Sequence, residues 1–210
     1  MRKEDLSQVA EIDREAFPTQ WPPPNYRHEL ELALAHYLVA LEETGTSPDV
    51  PGPKNDPRSP VSLIKRLFKR EGTGTKPSSS TGQDIIGFAG IWVMTDEAHI
   101  TNIAVRKQYQ RRRIGELLLI SLIDLANHLN ASFMTLEVRV SNSIAQNLYA
   151  KYGFKQVGIR PKYYLDNRED GMLMSSESIT STSFQEHFQK LKQDYFRKER
   201  TQSHESASER

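Results

Sequence analysis

The chain has 210 residues, 37% hydrophobic and 26% charged, with a formal net charge of +1 and no cysteine. That length holds one ordinary domain plus additions, and the composition is that of a globular chain diluted by polar segments. The near-neutral balance gives no global field to recruit nucleic acid, and the lack of cysteine excludes disulfides, thiolate metal sites and a cysteine nucleophile.

Met1-Arg2-Lys3-Glu4-Asp5 has no apolar signal core and no later run reaches transmembrane length, so the chain reads as cytoplasmic. From Asp5 to Phe17, Leu6, Val9, Ile12, Ala16 and Phe17 recur at helical spacing. Pro18, Pro22, Pro23 and Pro24 then impose a loop that contains Trp21, because each proline fixes φ and removes a donor. Helical periodicity returns over Tyr26–Ala35, and His36–Leu41 reads as a strand. Thr44–Pro60 is proline-rich and Glu71–Gln83 is rich in Gly, Ser and Thr, tracts that cannot bury enough apolar surface to order themselves. Between them Val61, Ile64, Leu67 and Phe68 share a face, with Lys65, Arg66, Lys69 and Arg70 elsewhere. Residues 45–83 thus read as a flexible insertion holding a short basic amphipathic helix. Its functional alternative is weak contact with RNA or an acidic surface.

Asp84–Met94 and Ala98–Val105 pattern as hairpin strands about Thr95-Asp96-Glu97. A basic turn, Gln110-Arg111-Arg112-Arg113-Ile114-Gly115, opens a helix to about Asn130 whose Leu118, Leu122, Leu125 and Leu129 form a core face. The first N–H groups of a helix lack internal partners and the helix dipole adds positive charge, so a pyrophosphate can sit on amides from Arg111 to Gly115. Gly115 permits close backbone approach, and three arginines add forked donors. A solvated basic helix start is the alternative.

Along Thr135–Val140, Leu136, Val138 and Val140 face one way and Thr135, Glu137 and Arg139 the other. Glu137 reads either as a base at a crevice or as a polar strand residue paired with Arg139. Asn142 stands at the N-cap of a helix bearing Ala145, Leu148, Tyr149 and Tyr152 on one side and closed by Gly153. Phe154–Lys162 and Met172–Ser175 supply the last strands about a turn at Asp166-Asn167-Arg168. Phe184, Phe188, Leu191 and Tyr195 mark a C-terminal helix, and Thr201–Arg210 reads as a disordered tail. The six histidines show no metal-ligand spacing.

Taken together these motifs resemble the GCN5-related N-acetyltransferases (GNAT). Gln110-x-x-x-x-Gly115 after Asn102-Ile103-Ala104-Val105 is similar to their acetyl-CoA signature, usually Gln/Arg-x-x-Gly-x-Gly/Ala, with Arg113 where the family usually has glycine. Leu136-Glu137-Val138-Arg139-x-Ser141-Asn142 and Leu148-Tyr149-x-x-Tyr152-Gly153-Phe154 resemble the RimI branch, the ribosomal-protein-alanine N-acetyltransferases. Ala16-Phe17-Pro18 with Trp21, Arg160-x-x-Tyr163-Tyr164 and Glu169-Asp170-Gly171-Met172 extend the likeness.

The resemblance covers roughly residues 1–44 and 84–176. It implies an α/β (α+β) fold: a mixed central sheet, splayed at the acetyl-CoA site and flanked by helices, with its first strand missing or shortened. The domain would span 1–176, interrupted by the 45–83 insertion, with 177–210 a C-terminal helix and tail.

It also implies acetyl-CoA as cosubstrate, held by Ile103, Ala104 and Val105 along the pantetheine. Gln110, Arg111, Arg112, Arg113, Ile114, Gly115 and Glu116 would hold the pyrophosphate, with Asn142 assisting. Glu137 would be the base, Tyr149 the acid that protonates the leaving thiolate, and Trp21, Tyr163 and Tyr164 the flanks of the acceptor; no metal is implied. The expected reaction is acetylation of the N-terminal amine, that of an alanine, on a ribosomal protein. Two alternatives stay open: a GNAT enzyme for another N-terminus, a lysine or a small amine, and a catalytically weak acyl-CoA-binding or ribosome-associated protein.

Overall fold

The computed structural model describes residues 1–19, 24–42 and 84–208. The strands are β1 (Ala35–Leu41), β2 (Ile85–Met94), β3 (Glu97–Val105), β4 (Phe133–Arg139), β5 (Phe154–Tyr164) and β6 (Glu169–Ser176). The helices are α1 (Leu6–Ala16), α2 (Tyr26–Glu29), α3 (Ile114–His128), α4 (Ser143–Lys151) and α5 (Thr182–Ser208). One mixed sheet runs β1-β2-β3-β4-β6-β5. Only β3 and β4 are parallel; their connection passes through α3, as a parallel crossover requires.

β2 is an apolar run buried on both faces, as a central strand should be: Phe88, Ala89 and Ile91 are fully buried. Gly90 in this strand has no substitute, because a Cβ there would lie 2.3 Å from the Tyr37 ring of β1. One face of the sheet carries α3, whose Leu119, Ile120, Leu122 and Ile123 are fully buried, together with α5, which adds Phe184, Phe188 and Tyr195. The other face carries α1 and α2, which bury Val9, Ile12 and Tyr26 against Tyr37, Ile85, Phe88 and Ala104. Arg106 ties α1 to the end of β3 through Glu11 at 2.7 Å and Glu15 at 3.2 Å.

The feature that positions the site is a parting of strands. The β3–β4 ladder runs from Glu97↔Phe133 to Ile100↔Leu136 and stops, while β3 continues to Val105 and β4 to Arg139. The break coincides with a register shift in the β2–β3 ladder, where Ile91 faces Ile100 but Gly90 faces Asn102. Thr101 is the extra residue. A bulge of this kind bends its strand, and past it β3 no longer pairs with β4. The expected splayed mixed sheet is therefore present.

Two local expectations differ, at α2 and at α5. Helix α2 is a single turn capped by Asn25, whose side chain accepts from His28 N; the chain then turns at Leu32, whose carbonyl accepts from Ala35 N, and enters β1 one residue earlier than His36. Among the described residues no strand precedes α1, and the Met1 amine instead donates to Tyr37 O at 3.0 Å. Helix α5 continues to Ser208, past Thr201 where a disordered tail is expected, since neither proline nor glycine interrupts Thr182–Ser208. The basic helix expected at Val61–Arg70 lies outside the described residues. Among the described residues no helix is long and apolar enough to cross a membrane.

Candidate active site

Glu137 sits on β4 just past the last β3–β4 pair, on the face shared with His99 of β3. Its carboxylate is 6% exposed and held on both oxygens: Oε2 lies 3.1 Å from His99 Nε2 and Oε1 lies 3.0 Å from Arg160 Nη2. Burial pushes this carboxyl up, but the His99 contact and the Arg160 charge outweigh burial and hold it below 4.5. Arg139 is not its partner. That guanidinium bonds both Asp166 oxygens at 3.0 Å and Glu169 at 3.2 Å, and lies 3.9 Å from the centre of the Tyr164 ring. Asp166 also accepts from Thr19 Oγ1 at 2.7 Å, so the loop after α1 meets the β5–β6 turn over the site.

Tyr163 and Tyr164 make an edge-to-face pair with ring centres 5.2 Å apart. Tyr163 is 41% exposed; part-burial raises its phenol, and it is close enough to Glu137 for that carboxylate's charge to raise it further. Tyr164 is the link across the site, packed on Tyr163 and under the Arg139 guanidinium and close to Glu137 and Tyr149. Tyr149 approaches from α4, buried against Phe154 with ring centres 5.9 Å apart. Burial pushes its phenol up to about 12. Asn142 is the N-cap of α4, its side chain accepting from Ala145 N at 3.1 Å.

The turn before α3 forms the other end of the site. Arg111 and Arg113 both adopt left-handed backbone, with φ of 63° and 58°. Position 113 thus uses the conformation for which glycine is the usual residue, at a cost of about 1–2 kcal/mol for arginine. The Arg113 side chain offsets that cost by turning inward: it lies 2.9 Å from Glu116 and 4.3 Å from the Tyr195 ring centre. The Glu116 carboxylate is also inward, taking Lys151 and, at 2.7 Å, the Tyr152 hydroxyl. Gln110 donates to Val105 O at 3.3 Å, and Arg112 stacks 5.0 Å from the Tyr109 ring centre. Gln110, Arg111 and Arg112 are exposed, and Ile114 packs on the core.

These features suit acetyl-CoA. Beyond Ile100 the edge of β3 that carries Ile103, Ala104 and Val105 has lost its ladder to β4, leaving backbone groups available to the amides of a pantetheine arm. A Cβ built on Gly115 meets nothing closer than Val105 Cγ2 at 3.9 Å, so the space beside it is open for phosphate. A cavity of about 270 Å³ adjoins Val105 and Gln110. Trp21 lies outside the described residues, and among these no group of histidines and carboxylates could hold a metal ion. Two residues of the site are absent from the sequence reading as site members, His99 and Arg160. His99 alternates with the buried Ala98 and Ile100, which marks the polar face of β3 and is the one signal that could have found it.

Comparison with known proteins bears on the same residues. The sequence profile of the acetyltransferase (GNAT) family matches residues 47–154. A Bacillus subtilis (strain 168) protein provisionally named a ribosomal protein bS18-alanine N-acetyltransferase is 35% identical over 175 residues, 83% of this chain and 90% of its own length. The ribosomal protein bS18-alanine N-acetyltransferase of Escherichia coli (strain K12) is 43% identical over 90 residues, 42% of this chain and 61% of its own. The crystal structure of the ribosomal-protein-S18-alanine N-acetyltransferase from Escherichia coli superposes with a TM-score of 0.61 at 25% identity, over 87% of this chain and 94% of that one.

Proposed function

This chain belongs to the acetyltransferase (GNAT) family and is an acetyl-CoA-dependent acetyltransferase, and from that premise we propose that it acetylates the N-terminal amine of a ribosomal protein beginning with alanine. The relatives' names supply the acceptor class. The observation that carries the reading is Glu137, an ionised carboxylate fixed on both oxygens beside the parting of β3 and β4.

Bound acetyl-CoA supplies the acetyl group as a reactive thioester. The backbone amides of Arg111 to Gly115 and the free edge of Ile103–Val105 orient it, with Gln110, Arg112 and Asn142 at its margin. The side chains of Arg113 and Glu116 brace the turn from inside, and these two residues offer the cosubstrate their backbone. Glu137 receives the proton of the incoming ammonium, while Tyr149, protonated throughout the neutral range, is the donor to the leaving sulfur. Tyr163 and Tyr164 flank the acceptor.

Glu137 alone is a weak base for this task. An N-terminal ammonium has an ordinary pKa of about 7.7–8.0, so handing its proton to a carboxyl held below the usual carboxylate range is uphill. Help from a neighbour is therefore part of the chemistry.

The test is mass spectrometry of ribosomal proteins from cells with and without the gene. An N-terminal alanine that loses a 42 Da acetyl group on deletion, and regains it on complementation, is the expected result. An unchanged set of acetylated N-termini contradicts the reading.

A further inference from the structure

The proton inventory around His99 is over-determined. Its Nδ1 lies 2.8 Å from Thr135 Oγ1, and Thr135 Oγ1 in turn donates to Glu97 Oε1. An ionised carboxylate can only accept, and a hydroxyl has one proton. Thr135 gives its proton to Glu97, so toward His99 it accepts, and Nδ1 carries a hydrogen. Nε2 then faces Glu137 Oε2 at 3.1 Å. Were both bare, two lone pairs would oppose each other with nothing between them. A proton must lie there.

We infer that His99 is a positioning residue that acts through Glu137, the two forming one proton-holding unit in which the resting proton sits on His99 Nε2. This rests on the reading of Glu137 as the base. Arg160, 3.0 Å from Oε1, keeps the carboxylate charged and so leaves the proton on the imidazole. The groups around the ring are Glu97 of its own strand, Thr135 and Glu137 of β4, and Arg160 and Tyr163 of β5, the last two acting through Glu137. From β2 the opposite residue is Trp92, whose indole donates to Glu29 of α2.

In turnover the unit first releases its proton to solvent, leaving a carboxylate opposite a bare Nε2. That opposed pair is a stronger proton acceptor than Glu137 beside Arg160 alone. The ammonium N–H bond then breaks, its electron pair stays on nitrogen as the nucleophile, and the proton passes by way of Glu137 to Nε2.

Nitrogen-15 spectra of the histidine rings in the full chain test this directly, with His99→Gln assigning the signals. In the resting enzyme both His99 nitrogens should carry protons. In Glu137→Gln, whose amide donates to Nε2, the ring should become neutral with its proton on Nδ1. A neutral wild-type ring protonated only on Nε2 overturns the inference.

A second readout separates this role from simple packing. His99→Gln retains a donor for Glu137 but cannot take up a proton. Its kcat near neutral pH should fall about tenfold or more with the acetyl-CoA KM unchanged, and should converge on wild type at high pH, where the amine arrives neutral. Wild-type kcat for His99→Gln near neutral pH also overturns the inference. The spectra need no acceptor, so a wild-type enzyme inert toward alanine-first peptides would count against the acceptor reading, and the place of the proton would still be decided.

Discussion

A carboxylate clamped between an imidazole and a guanidinium can be emptied of its charge without losing its shape. Glu137→Gln should lower turnover on an alanine-first peptide by about a hundredfold or more, and Tyr149→Phe should do likewise by removing the donor. Calorimetry should find acetyl-CoA affinity unchanged in both, since neither group has to hold phosphate; a large loss of affinity would mean that they shape the cosubstrate site instead. Glu116 gives a prediction about stability. Burial raises this carboxyl, but hydrogen bonds from Lys151, Tyr152 and Arg113 outweigh burial and depress it below 4.5. A depressed folded value stabilises fully above the unfolded value and loses that stabilisation as pH falls through the folded one. Glu116→Gln should therefore lie about 2 kcal/mol below wild type in urea melts at neutral pH. The gap should shrink as pH drops below 4.5; a pH-independent gap would assign the effect to packing. At this scale the sequence shows that Glu137 faces away from Leu136 and Val138, because alternation along a strand is local. It does not show the partners. Arg139 looks adjacent on the same face, yet same-face neighbours on a strand are nearly 7 Å apart, and Asp166 and Glu169 reach Arg139 first. His99 meets Glu137 only through the β3–β4 register, which no local pattern encodes.

Among the elements, the turn into α3 and the helix α5 make separate claims. Gly115→Trp has open space within the protein, so it should fold with an unchanged melt while weakening acetyl-CoA binding at least about tenfold. Normal binding would take the pyrophosphate off this turn. Phe188 of α5 is 1% exposed and packs on the Tyr152 and Phe184 rings. Phe188→Ala should cost about 3–5 kcal/mol, and a near-neutral effect in denaturant melts would show that α5 is an appendage rather than core. The aromatic stripe at Phe184, Phe188 and Tyr195 was legible as helix; that it lies against α3 was not, because the same stripe suits a partner's surface equally well. The glycine missing at position 113 becomes intelligible only with its backbone in view: Arg113 takes the left-handed conformation and anchors itself on Glu116 and Tyr195. The bulge at Thr101, where β3 and β4 part, leaves no mark in the alternation of polar and apolar residues that a reader would separate from ordinary strand.

Across the described residues, β1 and β2 pair directly in the sheet. Glu42 N donates to Asp84 O at 2.9 Å, so the two flanks of residues 43–83 already stand at hairpin distance. Replacing that segment with a short Gly-containing turn should leave the melt and the peptide activity near wild type, because loop-closure entropy depends weakly on length. A collapse of either would place the segment in the core or the site. The account as a whole stands on the transfer of acetyl to an N-terminal amine, and the most direct measurement is release of free CoA thiol with two acceptors. One is a peptide that begins with alanine; the other is the same peptide with a blocked N-terminus and an internal lysine. Rapid acetyl-CoA-dependent turnover of the first, with the acetyl group found on its α-amine and little reaction of the second, is the predicted result. Equal or faster turnover of the blocked lysine peptide would contradict it.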